Sequence, residues 1–330
     1  GMGVGVSLSS LAGNVAKCGG IGTISGVHPG YREADFKENP FRANLRAIGN
    51  ELEKAKEIAN GGIIGFNFMT VMNHYEEYVK EAIAAGADFI VSGAGLPVNL
   101  AKYAAGTRAA ILPIVSSARA LKLIVKQWQR ADRLPDAVVV EGPLAGGHLG
   151  YPYGHLVDGT FDTLEDSLVD VVDYVRELEE KNGVIIPVIA GGGVRSHADM
   201  ERLMALGASG VQVGTKFVAT EECDAAPAFK QAYLRSRKED VQLIESPVGL
   251  AARAIRNSFL EKVEKQGRIP VQRCYQCMNH CKQAETKYCI SQALIDAVQG
   301  REGLVFCGAN AYEIEKLSTV EKVMQELCGE

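Results

Sequence analysis

Short apolar runs alternate along this chain with longer stretches in which apolar residues return every three or four positions. The runs fall at Ile21–Ser25, Ile63–Asn67, Phe89–Val91, Ala110–Val115, Ala137–Glu141, Ile186–Ala190 and Gly210–Val213, and they read as strands. The stretches Ala43–Ala59, Tyr75–Ala85, Ala118–Ala131, Leu164–Lys181 and Ser196–Leu206 carry the period of amphipathic helices. Strand and helix in strict alternation predict a parallel sheet with crossover helices, the α/β class.

Two of the strand-to-helix junctions are glycine-rich. Pro187-Val-Ile-Ala-Gly-Gly-Gly193 and Gly210-Val-Gln-Val-Gly-Thr215 each run from apolar residues into glycine and then into a helix-like segment. Glycine lets the backbone approach phosphate oxygens closely, and a helix start presents unpaired N–H groups. A (β/α)8 barrel uses two such units late in its chain to hold a phosphate. The expected fold is therefore a TIM (β/α)8 barrel over residues 1–220. Only seven strands can be read, and a barrel must close, because open edges expose unpaired backbone groups. Gly1-Met-Gly-Val-Gly5 reads as the loop after a strand, followed by a helical pattern over Ser7–Cys18. The expectation is that the first strand is missing from the sequence as it stands. The plainer reading takes Met2 as a start codon behind one extra glycine.

After Phe217 the pattern changes. Ala225–Arg237, Ala251–Lys265, Ser291–Gln299 and Val320–Leu327 read as helices, with a turn at Ser246-Pro-Val-Gly249. Residues 221–330 are expected to form a C-terminal helical cap, or lid, over the barrel mouth, with a cysteine-rich segment at 274–289.

Composition narrows the setting. A hydrophobic fraction of 47% and a charged fraction of 23% are those of a globular protein, and 36 glycines suit many tight βα turns. The net charge of -5, with no basic face, points away from nucleic acid as a partner. No apolar run approaches the roughly 18 residues that span a bilayer. No signal peptide is evident, and the eight cysteines, half of them in one cluster, do not read as a secreted disulfide framework. A cytoplasmic protein acting on a small molecule is expected, with a homodimer as the candidate assembly.

Chemistry concentrates where strands end. Glu141-Gly-Pro-Leu-Ala-Gly-Gly-His148-Leu-Gly150 joins a carboxylate, glycines and an imidazole at the carboxyl end of a strand, where barrel active sites collect. Glycines let a ligand ring lie against the backbone, and His148 can act there as general base or hydrogen-bond donor. The plainer alternative is a histidine in a surface loop. Ser92-Gly-Ala-Gly-Leu-Pro97 could pass beside a flat ring or be an ordinary βα turn. Asn67 ends its strand with an amide that can both donate to and accept from a ring edge, or can cap the next turn.

Taken in order, Gly1-Met-Gly-Val-Gly-Val-Ser7, Gly65-Phe-Asn-Phe68, Ser92-Gly-Ala-Gly95, Glu141–His148, Ala190-Gly-Gly-Gly-Val194 and Gly214-Thr-Lys-Phe217 form a set. That set resembles the nitronate monooxygenase (2-nitropropane dioxygenase) family and its sister group, the FMN-dependent enoyl-ACP reductases of the second type. The resemblance implies a TIM barrel with non-covalent FMN. Its phosphate would sit on Gly191, Gly192, Gly193, Gly214 and Thr215, and Met2, Gly3, Asn67 and Gly142 would line the isoalloxazine and ribityl chain. His148 matches the family's active-site histidine, placed to meet a nitro group or take an α-proton. Lys216 stands where arginine is often found and would offer a point charge rather than a fork. Arg253 and Arg256 fall in a loop and helix that also resemble the family; they could hold a dinucleotide phosphate or form a solvated face. The implied activity is oxidation of alkyl nitronates with O2. The alternatives are NAD(P)H-dependent reduction of an enoyl thioester, a flavin and thiol redox sensor without turnover, and a flavin-free phosphate-binding barrel.

The cysteine cluster stands outside that resemblance. Cys274, Cys277, Cys281 and Cys289 follow the spacing C-x2-C-x3-C-x7-C, with His280 beside the third. Thiolates this close can wrap zinc or an iron–sulfur cluster, although the later gaps match no standard zinc ribbon. Otherwise they pack as small hydrophobes.

Overall fold

The computed structural model describes residues 1–330 except His280. Turns and bends over Gly1–Leu8 lead into α1 (Ser9–Lys17). There follow β1 (Ile21–Ser25), α2 (Pro40–Ala59), β2 (Ile63–Met69), α3 (Tyr75–Ala84) and β3 (Phe89–Gly93). Next come α4 (Leu100–Tyr103), β4 (Ala110–Val115), α5 (Ala118–Trp128), β5 (Val138–Glu141) and the two-residue β6 (Gly147–His148). Then α6 (Tyr153–Asp158), α7 (Leu164–Asn182), β7 (Val188–Gly191), α8 (His197–Ala205), β8 (Gly210–Gln212) and α9 (Thr215–Val218) complete the alternating part.

Local chemistry explains the element ends. Asn39 accepts from the Arg42 N–H at the start of α2, with Pro40 in the first turn, where its missing donor costs nothing. Thr163 and Asp166 form a reciprocal capping box on α7, which ends at Gly183 in the left-handed conformation. α1 has no local cap. The Asp224 carboxylate accepts instead from the N–H groups of Leu8 (2.8 Å), Ser10 (3.2 Å) and Leu11 (3.1 Å).

Seven strands form one parallel sheet in the order β1-β2-β3-β4-β5-β7-β8. The sheet's outer face packs on the helices: Ile24, Phe66, Ile90 and Val138 meet Leu52, Leu121 and Leu168 in the main core. Alternate residues face inward, where Phe89, Val91 and Val139 form a separate small cluster. The described residues thus make a seven-stranded α/β barrel layout whose sheet ends at β1 and β8. Within the stretch read as a loop, residues 3–6 form a turn. No helix of the described residues is long and apolar enough to cross a membrane.

The tail contains α10 (Pro227–Arg235), β9 (Val241–Glu245), β10 (Ala251–Ile255), α11 (Ser258–Gln266), α12 (Ile290–Val298) and α13 (Val320–Cys328). The helix expected over Ala251–Lys265 is therefore two elements. All five residues of β10 are buried, so this stretch has no polar face, and it lies between β9 and β6 in an antiparallel sheet. The helix begins only after Asn257, whose side chain accepts from the Leu260 N–H at 3.1 Å.

Candidate active site

His148 is held by the tail. β6 pairs with β10 through Ala252 opposite His148 and Arg253 opposite Gly147. The imidazole Nε2 meets the Ser246 hydroxyl at 2.8 Å, and the Phe306 ring stands edge-on with centroids 5.0 Å apart. Desolvation brings the His148 pKa down to about 4, so the ring is neutral across ordinary pH. With Nε2 engaged, Nδ1 is the nitrogen left for a ligand. Glu141, at the end of β5, is pushed up to about 7 by burial.

Two cavities meet at these residues. The first, about 1280 Å³, runs along the inner face of the sheet from Ile21 and Ile63 to Gly193 and Gly214. The second, about 900 Å³, lies toward the tail, between Leu96, Leu149, Tyr153, Leu250 and Cys281. Ala94, Ile114, Glu141 and His148 border both. Ala94 and Gly95 take positive φ angles of 52° and 117° there, and the Thr70 hydroxyl donates to the Ala94 carbonyl at 2.8 Å. Ser92 is turned away, fully buried against the Tyr75 hydroxyl at 2.7 Å.

The glycines after β7 and β8 form a bare-backbone cradle at the far end of the first cavity. Gly192 and Gly193 have φ angles of 103° and 91°. A Cβ on Gly192 would stand 3.0 Å from the Gly142 carbonyl oxygen and 3.1 Å from the Ala145 nitrogen. Met2, Gly3, Asn67, Gly192, Gly193, Gly214 and Thr215 all line this cavity. Met2 faces Gly214, where an added Cβ would lie 3.3 Å from Sδ. Gly3 is pressed against Ser25, with room for no side chain. Asn67 Nδ2 donates to the Val91 carbonyl at 3.1 Å, which fixes the amide across β2 and β3 rather than over the next turn.

Gly142 and Gly191 are the exceptions. Neither borders the cavity: the Gly142 N–H donates to the Gly191 carbonyl at 2.8 Å, and a Cβ on Gly142 would lie 2.6 Å from Leu164 Cβ. Their role is to bring the two loops together beneath the cradle. α9, with four residues, adds little helix dipole, so the cradle rests on the loop amides and the Thr215 hydroxyl.

The basic residues divide differently from the sequence expectation. Arg253 is buried and donates to the carbonyls of Pro143 (3.0 Å) and Ala145, holding the loop that carries His148. It is committed to the protein rather than to a dinucleotide or to solvent. Arg256 is exposed and pairs with Glu261 at 3.3 Å. Lys216 borders the first cavity, but its ammonium bonds the Arg195 carbonyl and Glu326, each at 2.9 Å. Ser246 was readable only as part of a turn, and Phe306 not at all, because long-range pairing brings both to His148.

The four clustered cysteines lie on one irregular segment. Cys274 is exposed, Cys277, Cys281 and Cys289 are half-buried, and His280 lies outside the described residues. Among the described residues, no three or more His, Cys, Asp or Glu side chains close on a single-ion site.

The chain thus has a parallel α/β barrel layout, with a glycine cradle at the carboxyl ends of two adjacent strands and a half-buried, neutral imidazole on the wall of the same cavity. The family model for nitronate monooxygenase matches residues 1–330, and the chain belongs to that family. A "Probable nitronate monooxygenase" of Staphylococcus haemolyticus is 35% identical over 136 residues, 41% of this chain and 36% of the relative. One from Staphylococcus aureus is 34% identical over 140 residues, with the same shares. The chain thus matches about a third of the length of these curated relatives. Among solved structures, FabK from Thermotoga maritima superposes with a TM-score of 0.72 at 23% identity, covering 100% of this chain and 90% of that one. Nitroalkane oxidase from Streptomyces ansochromogenes gives 0.69 at 20% identity, covering 100% and 93%. At these identities the two structures speak for the fold.

Proposed function

We propose that the protein is a flavin-dependent oxidoreductase that holds FMN in the first cavity and oxidises alkyl nitronates with O2. The observation that carries this reading is the position of His148, neutral, at the shared wall of two cavities, one of which ends in the glycine cradle. The cradle suits a phosphate because Gly192, Gly193 and Gly214 leave its backbone bare. Bound there, FMN would supply redox chemistry at its N5 edge.

The protein's own residues do the rest. Amides at Gly192, Gly193 and Gly214, with the Thr215 hydroxyl, would hold the phosphate. Met2, Gly3 and Asn67 would flank the ring and ribityl chain. His148 would meet the nitronate oxygens of the substrate through Nδ1, or, with the neutral nitroalkane, take there the α-proton whose loss gives the nitronate. Ser246 fixes the imidazole plane through Nε2. Leu149, Leu250 and Ala251 would give the second cavity an apolar wall beside His148.

A second reading, NAD(P)H-dependent reduction of an enoyl thioester, is favoured by the size of the second cavity. At about 900 Å³ it has room for a longer acyl chain. Anaerobic mixing separates the two. Rapid flavin bleaching by propyl-2-nitronate, with a slow response to NADPH, is expected. The reverse pattern selects the reductase, and a colourless protein that takes up no FMN sinks both.

A further inference from the structure

We propose that Thr70 is a positioning residue: with Trp128 it clamps the loop after β3, residues 93–97, as a fixed wall between the two cavities. The ring and substrate that this wall would separate are those of the flavin reading above, on which their placement rests; the clamp itself does not depend on it. Ala94 borders both cavities, Gly93 the first, and Gly95 and Leu96 the second. Ile114, Glu141 and His148 are the other residues common to both walls. A ring in the first cavity and a substrate in the second would meet along the boundary that these four residues make.

The loop is strained at that boundary. Ala94 has a φ of 52° and Gly95 one of 117°. The left-handed region brings the Cβ of an alanine close to the following carbonyl oxygen, so such a residue persists only where its surroundings over-determine it. Thr70, the residue after β2, supplies that constraint. Its N–H donates to the Gly93 carbonyl at 2.9 Å, and its hydroxyl donates to the Ala94 carbonyl at 2.8 Å. One residue thus grips two successive peptide groups. A Cβ on Gly95 would collide with the Thr70 hydroxyl, so the loop also lies directly on the side chain that holds it. At the far end Trp128, fully buried at the close of α5, donates through Nε1 to the Pro97 carbonyl at 2.9 Å. The near end is seated on β4, where a Cβ on Gly93 would stand 3.0 Å from Ile114 Cβ.

Thr70 and Trp128 border neither cavity, so any effect they have on the chemistry passes through the loop. Without the Thr70 hydroxyl, Ala94 can relax toward an ordinary backbone conformation, and the peptide groups on either side of it turn. That moves the wall against which ring and substrate would be aligned. Reaction rate is the property most sensitive to such a shift: a displacement of about 1 Å at the reacting centre can cost on the order of a hundredfold. The glycine cradle lies on other strands, after β7 and β8, so the grip on the phosphate should not change with it.

Two substitutions in the full chain separate the hydroxyl from the shape of the side chain. Thr70→Val keeps the shape and removes the donor; Thr70→Ser keeps the donor. Trp128 is the only tryptophan in the sequence, so its fluorescence reports on the loop with or without flavin. In the flavin-free chain, acrylamide quenching of Trp128 should rise in Thr70→Val and stay at the wild-type level in Thr70→Ser. With FMN bound, anaerobic bleaching by propyl-2-nitronate, or by NADPH if that reagent reduces the wild type, should slow in Thr70→Val by about tenfold to a hundredfold. Thr70→Ser should restore the rate, and flavin affinity by fluorescence titration should be equal in all three chains. Unchanged quenching or an unchanged bleaching rate in Thr70→Val, a Thr70→Ser chain as slow as Thr70→Val, or a loss of flavin affinity that accounts for the loss of rate would each overturn the proposal. A wild-type chain that neither reagent bleaches defeats the flavin reading instead, and the quenching comparison still decides whether Thr70 holds the loop.

Discussion

His148 is fixed through Nε2 by Ser246, so substitutions at the two positions should differ in kind. With a neutral nitroalkane as substrate, His148→Ala removes the proposed acceptor of the α-proton, and kcat should fall by about 10²–10⁴-fold with flavin content unchanged. Ser246→Ala leaves the imidazole in place but free to turn; a loss of about tenfold or less, the scale of one hydrogen bond, is expected. Steady-state kinetics on both variants check this, and an unimpaired His148→Ala enzyme would remove His148 from the chemistry. Glu141 and His148 also carry opposite pH signatures. Glu141 is raised from 4.5 to about 7, so the folded chain binds its proton more tightly. Its contribution to stability is therefore full below pH 4.5 and is lost as pH rises through about 7. His148 is lowered from 6.5 to about 4, so its contribution is present above pH 6.5 and is lost as pH falls through about 4. Glu141→Gln should raise Tm by a few degrees near pH 8 and leave it unchanged near pH 4. Calorimetry at the two pH values decides it, and equal gains at both would show that the effect is packing. The place of His148 on the wall of both cavities was legible because it follows a strand end among glycines. Its partner was not, because Ser246 is 98 residues away and no spacing rule links the two.

The alternating elements were legible for a plain reason: each helix buries one stripe on the sheet, so its apolar period is visible. β10 defeated that logic. Ala251-Ala-Arg-Ala-Ile255 contains good helix formers, yet every residue is enclosed and paired with β9 and β6, so tertiary packing overrides propensity. Arg253 reads as a surface charge until its two carbonyl partners, more than a hundred residues earlier, are known. The start of α1 was hidden likewise, since its cap is the carboxylate of Asp224. The glycine cradle, by contrast, was read from sequence, and its geometry makes a sharp test. Gly192→Ala forces a side chain to φ 103° and presses its Cβ on Gly142 and Ala145. Strain of about 1–3 kcal/mol at the phosphate position should weaken FMN binding on the order of tenfold or more. Gly61→Ala is the control: its φ is 92°, but nothing lies within 4 Å of the added Cβ, and it borders neither cavity. It should cost stability and leave flavin affinity unchanged. Fluorescence titration of both variants reads the difference, and equal weakening would mean that backbone strain anywhere in the fold is felt at the site.

At the scale of the molecule, a boundary at residue 220 separates two sequence patterns but not two cores. Ala254, Leu294 and Val320 of the tail belong to the same apolar cluster as Ile24, Phe66 and Val140 of the barrel. The tail also supplies Ser246 and Phe306 to His148, the Asp224 cap to α1, and the Gly308 N–H to the Thr215 hydroxyl at 3.1 Å. None of this could be read from the change of pattern after Phe217, because contacts between distant segments leave no period in a sequence. A chain ending at Thr220 would therefore strip Ala254, Leu294 and Val320 from the shared core and lose the strand that holds His148. It should not fold to a rigid state: near-UV circular dichroism should be lost, hydrophobic dye should bind, and added FMN should confer no protection from protease. The intact chain should gain thermal stability with rising FMN, by about 2.7 kcal/mol at a hundredfold excess over Kd. A cooperatively melting, FMN-binding 1–220 fragment would show instead that residues 221–330 are a separable lid. The pairing of β6 with β10 would then be a docking contact rather than part of what builds the site.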